Sequence, residues 1–167
     1  MRRYLPMVAV GLIVAHPAQA QEIRRVAPGQ APIAASVEVP AGSRLVYISG
    51  TVPDPADAAA AAGSAQRFGD TKTQTVSVLR KIEAGLKAHG LGLGDVVMMR
   101  VFLVAPTGQQ RMDFAGMMEG YRQFFGTAAQ PNKPARSTMQ VAGLVDPGWL
   151  VEIEVTAAAR AGAAPAR

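Results

Sequence analysis

From residue 151 the chain alternates: Val151, Ile153 and Val155 are apolar, while Glu152, Glu154 and Thr156 are polar. A period of two predicts a strand over 150–156 with one apolar and one polar face. Residues 96–103 (VVMMRVFL) are apolar at nearly every position, as expected of a central strand covered on both faces. Shorter β-rich runs at 36–39 and 45–48 flank the turn cluster Pro40-Ala41-Gly42-Ser43 and predict a hairpin. A further strand is expected at 137–141, after the turn at 131–134, and is joined to 150–156 through Asp146-Pro147-Gly148.

The period changes between these runs. After Asp70, a good N-cap, Val78, Leu79, Ile82 and Leu86 form one stripe with Lys72, Arg80, Lys81 and Lys87 off it. That spacing predicts a helix from Asp70 to a close at His89 and Gly90, and assigns His89 to a helix end rather than to catalysis. A second helix is expected over 110–125, with Phe114, Met117, Met118, Tyr121 and Phe125 as its core side and Gly126 ending it. Residues 51–69, rich in Pro, Asp, Ala and Gly, read as a long loop. The order β-β-α-β-α-β-β predicts an α+β fold, one sheet with two helices on one face. The opposite sheet face needs a cover, and self-association supplies one economically.

The start of the chain changes the picture. Arg2 and Arg3 precede an apolar stretch at 5–15, and Ala18-Gln19-Ala20 places small residues where a signal peptidase reads them. Residues 1–20 are therefore expected to be a signal peptide, 21–35 a flexible lead-in, 36–159 the folded domain and 160–167 a flexible C-terminal tail. The apolar stretch is short of the ~20 residues that span a bilayer, so a periplasmic or secreted protein without stable membrane insertion is expected. Cleavage would remove two of the 17 basic residues, leaving 15 against 12 acidic ones. No Lys/Arg block suits a row of phosphates, so nucleic acid is not an expected partner. Cysteine is absent from the sequence, which removes disulfides, a thiolate nucleophile and Cys-based zinc sites.

Gly-rich phosphate loops, nucleophile elbows and His-based metal motifs are missing from the sequence, and no cofactor or metal is expected. What remains is an arginine and a carboxylate. Arg136 follows Pro134-Ala135 at a strand start, where a guanidinium can grip a carboxylate through two parallel hydrogen bonds. Glu152 lies on a polar strand face, where it can hold or activate water.

Six segments stand in the order and approximate spacing of the Rid (YjgF/YER057c/UK114) family, and the chain resembles it from about residue 36 to 159. They are Tyr47-Ile48-Ser49-Gly50-Thr51-Val52-Pro53, Gln74, Gly94-Asp95-Val96-Val97 leading into Val101-Phe102-Leu103, Tyr121-Arg122-Gln123-Phe124-Phe125, Pro134-Ala135-Arg136-Ser137 and Val151-Glu152-Ile153-Glu154-Val155. The resemblance implies a chorismate-mutase-like fold and a homotrimer with sites at the subunit interfaces. It further implies hydrolysis of reactive enamines and imines such as 2-aminoacrylate to 2-oxo acids and ammonia, without a cofactor. By position, Arg136 would bind the substrate carboxylate, Glu152 would position water, and Gly50, Ser49 and Ser137 would line the pocket. Two positions depart from the family's pattern: Ser36 or Ala35 stands where many active relatives have a pocket tyrosine, and Met118 where they have an asparagine. The alternative is a non-catalytic trimer that binds a small carboxylate, or a holdase-type stress protein.

Overall fold

The computed structural model describes residues 22–159; the expected signal peptide and C-terminal tail lie outside the described residues. Three strands come first, β1 (Arg24–Val26), β2 (Ser36–Glu38) and β3 (Arg44–Thr51). A one-turn helix α1 (Ala65–Phe68), the long helix α2 (Thr71–Lys87), β4 (Val96–Leu103), α3 (Phe114–Tyr121), β5 (Ala135–Gln140) and β6 (Val151–Ala159) follow. The main sheet has the order β3-β6-β4-β5. Only β4 and β5 run parallel in it, because a parallel neighbour needs a crossover and α3 supplies it. The apolar positions of β6 and β4 meet the α2 stripe: Val151, Ile153, Val155, Met99, Val101 and Leu103 are buried with Val78, Leu79, Ile82 and Leu86. Both long helices thus cover one face, as expected.

The predicted hairpin between 36–39 and 45–48 is not formed. β2 pairs with β1 instead, and β3 pairs with β6. The turn at 40–43 reverses the chain, but turn chemistry does not choose the partner; the eight residues of β3 find theirs in the nine of β6. The lead-in at 21–35, expected to be flexible, is docked over its described part. Ala34 is buried and bridges Ala135 at the free edge of β5, and Lys133 Nζ donates to the Ala31 carbonyl at 2.8 Å. Helix α3 is shorter than expected because Asp113 caps it, accepting from Gly116 N at 2.8 Å. The loop at 51–69 is folded around Arg67, which donates to the carbonyls of Ala58 and Ala60. Asp54 in that loop ties it to Lys81 of α2 at 2.7 Å.

At the start of α2, Asp70 accepts from Thr73 N at 2.8 Å. That bond, more than any other group, holds its carboxyl below its ordinary value of 3.8. A depressed folded-state pKa means the stabilisation is present above pH ~4 and lost as pH falls through the folded value. Asp70→Ala is expected to cost about 1 kcal/mol in urea unfolding at pH 7, and the gap to the wild type should shrink at pH 3. Gln74, fully buried one turn further on, donates from Nε2 to the carbonyls of Gly69 and Gly148, both at 3.0 Å, and accepts from Leu150 N at 2.7 Å. It anchors the turn that feeds β6.

Among the described residues, the other sheet face carries no helix. Leu45, Tyr47 (71% exposed) and Met139 are open on it, and Met98 and Phe102 are half-buried. β4 is central as predicted, but within one chain only its helix side is covered.

Candidate functional site

Pro134 fixes the chain's entry into β5, and its carbonyl accepts from Ala34 N at 2.9 Å. Two residues later, Arg136 pairs in register with Met99, which is fully buried beneath the helices. Residues opposite one another share a face, so the Arg136 side chain lies on the helix side, under α3. There it meets a stripe spaced by four and three residues, Phe114, Met118 and Tyr121. Its Nη2 donates to the Met118 sulfur at 3.2 Å. Its guanidinium carbon lies 4.4 Å from the Tyr121 ring centroid and 6.0 Å from that of Phe114.

This arginine has no carboxylate partner among the described residues. Its Nη1 is buried without a hydrogen bond, and so is Oγ1 of Thr138, two positions along the same strand face. Burial lowers the guanidinium's pKa; Tyr121 partly offsets this and Arg122 adds to it. The group nonetheless remains a cation at neutral pH. Tyr121 is the shelf beneath it. Its ring stacks on Phe125 at 4.8 Å, and its hydroxyl donates to the Pro32 carbonyl at 3.1 Å. Burial pushes the phenol up to about 12, with Arg136 pulling the other way, so a neutral ring faces the cation, the arrangement that favours cation–π attraction.

Glu152 lies elsewhere. It pairs with Phe102, which places it on the open face. Gly50 of β3 lies beside it: a Cβ on Gly50 would overlap Glu152 Oε1 and come within 2.9 Å of its Cδ. The missing side chain is thus room for the carboxylate, while the neighbouring Ser49 is exposed at the irregularity in β3 between Ile48 and Thr51. Ser137 pairs with Arg100. It therefore also faces the open side, away from the Arg136 guanidinium, near the Arg100–Glu154 ion pair at 3.2 Å.

The structure thus joins Glu152 with Gly50, and Arg136 with Phe114, Met118 and Tyr121. It does not join Arg136 with Glu152 in one chain: β4 stands between their strands, they differ by three positions in register, and they face opposite sides. From the sequence, Phe114, Met118 and Tyr121 belong to the core. Their spacing signals a covered stripe, but it cannot say whether the cover is a leucine or an arginine.

An antiparallel sheet with one parallel edge pair and two helices on one side defines a small α+β protein, with a half-buried arginine on its edge strand. The chain belongs to the family described as endoribonuclease L-PSP, the YjgF/Rid family, whose model matches residues 26–159. It is 40% identical over 89 residues to the RutC family protein PH0854 of Pyrococcus horikoshii, covering 53% of this chain and 63% of that protein. It is 37% identical over 75 residues to the Escherichia coli protein named "Putative reactive intermediate deaminase TdcF", covering 45% of this chain and 54% of TdcF. Each match therefore spans less than two thirds of the curated relative. The crystal structure of E. coli TdcF with bound serine superposes with a TM-score of 0.54 at 29% identity, over 82% of this chain and 97% of that one. The Rid-family protein YyfB of Yersinia pestis shares the fold at a TM-score of 0.60 and 24% identity, over 82% and 98%.

Proposed function

We propose that the protein hydrolyses reactive enamine or imine acids to 2-oxo acids and ammonia, with Arg136 gripping the substrate carboxylate. The observation that carries this reading is the half-buried guanidinium held on an aromatic shelf with no anion of its own. A lone recessed cation suits one compact carboxylate rather than the row of phosphates in a nucleic acid, which favours this chemistry over the ribonuclease in the family's description. The name of TdcF and its serine complex support it.

The imine carbon is already electrophilic, so orientation supplies much of the catalysis. Water adds to the carbon as the C=N π pair moves to nitrogen. Glu152 accepts the water's proton and returns it to nitrogen. The carbinolamine then collapses: its hydroxyl proton passes to the amino nitrogen, the oxygen lone pair forms C=O, and the C–N bond breaks to release ammonia. Neither a metal nor an organic cofactor enters these steps. Because Arg136 and Glu152 face opposite sides of one sheet, the reading requires sites shared between copies. We take the assembly to be a homotrimer, its open sheet faces covered by neighbours, exported after cleavage before Gln21.

The test is 2-oxo acid release by the purified protein from imines made in situ by an amino-acid oxidase. No release above the oxidase background, with carboxylate binding retained, would leave the non-catalytic binding protein as the answer. Glu152→Gln should abolish release. Co-folding it with an Arg136→Ala subunit should restore about a quarter of the wild-type rate if each site takes one residue from each of two subunits; no recovery would overturn the shared site. Gly50→Ala should lower kcat about 10²-fold by displacing the carboxylate. Its Tm should barely move, because the clash is with the free end of a side chain.

A further inference from the structure

As the chain stands, Arg136 is turned inward. A two-bond fork on a carboxylate needs at least one Nη group of the guanidinium. Nη1 is shut from solvent and unbonded, while Nη2 faces the Met118 sulfur at 3.2 Å. Met118 and Tyr121 are themselves core residues, 4% and 1% exposed, so neither is a surface that an incoming anion meets. What holds the guanidinium there is weak. A thioether is a poor acceptor. The Tyr121 ring, 4.4 Å from the guanidinium carbon, attracts the cation, but the unbonded Nη1 works against both contacts. Outside, water or an anion satisfies every N–H. The inward and outward positions are therefore close in free energy, and a long, flexible side chain passes between them.

We propose that the Met118 sulfur is an autoinhibitory seat: Arg136 rests on it closed and leaves it to take an anion. This rests on the carboxylate grip in the reading above and adds a gate to it. An anion binds only the outward fraction, so its apparent Kd is the intrinsic value divided by that fraction. Removing the sulfur should enlarge the fraction about two- to ten-fold, the worth of one modest hydrogen bond. Leucine does this at nearly constant volume.

Phenylglyoxal, which condenses with accessible guanidinium groups, reads the outward fraction when the labelled peptides are followed by mass spectrometry. In the wild type, Arg136 should label about ten-fold or more slowly than the exposed Arg80. Met118→Leu should quicken Arg136 about two- to ten-fold, leave Arg80 unchanged and tighten calorimetric pyruvate binding by the same factor. Met118→Gln, whose amide oxygen is a stronger acceptor, should slow Arg136 below the wild-type rate. Arg136 labelling as fast as Arg80 in the wild type would overturn the gate. So would an unchanged rate in Met118→Leu, the result expected if contacts between copies, and not the sulfur, shield the arginine. Faster labelling in both variants would also overturn it, because loosened packing would then govern access. If pyruvate binds neither wild type nor Met118→Leu, the carboxylate grip falls, while the labelling rates still uphold or overturn the closed seat.

Discussion

Arg136→Ala is expected to lower kcat/KM for imine hydrolysis by about 10²- to 10⁴-fold while leaving Tm unchanged or raised. Two charge-assisted hydrogen bonds to the substrate carboxylate are lost, each worth about 1.5–3 kcal/mol. Stability moves the other way because the guanidinium is half-buried with no anionic partner among the described residues and with one buried Nη1 unbonded. Removing an uncompensated charge relieves its desolvation, and this offsets the lost cation–π contact with Tyr121. Arg136→Lys keeps the charge but not the planar fork, so its activity should fall between the two. Steady-state kinetics beside calorimetric melting reads both effects. A large Tm loss in Arg136→Ala would mean the arginine is a structural brace and not a vacant grip.

Gln74→Leu should have the largest effect on stability, about 3–5 kcal/mol, or a Tm drop of roughly 10 °C. The side chain is fully buried and joins the carbonyls of Gly69 and Gly148 to the amide of Leu150. Leucine fills a similar volume but strands all three backbone groups. Gly148 also packs against Phe68, where a Cβ would approach the ring to 2.8 Å, so the turn has little room to find new partners. Guanidinium unfolding measures the loss directly. A cost under ~1 kcal/mol would show that water replaces the glutamine.

Element types were readable where one period dominates. The α2 stripe and the strict alternation of β6 appear in the structure almost as predicted, because a helix or strand must segregate its own apolar residues to be buried at all. Pairing was less readable. The turn after β2 marks a reversal, while the choice of β6 for β3 and of β1 for β2 depends on strand lengths and on edges that form only when the sheet assembles. The docking of residues 31–34 was hidden for a similar reason: its contacts are with Lys133, Ala135 and Tyr121, a hundred residues away.

The candidate site divides along the same line. By itself, the sequence nominated Arg136 and Glu152 as candidates, because the segments that carry them stand in the family's order while cysteine and a histidine-based motif are absent from the sequence. Only the tertiary structure decided which way each points. Arg136 turns under α3 because its register partner is Met99, and Glu152 turns to the open face beside Gly50 because its partner is Phe102. In a sheet, a residue's side is set by one step of register with a strand far away in sequence, and that step is not written in the local pattern.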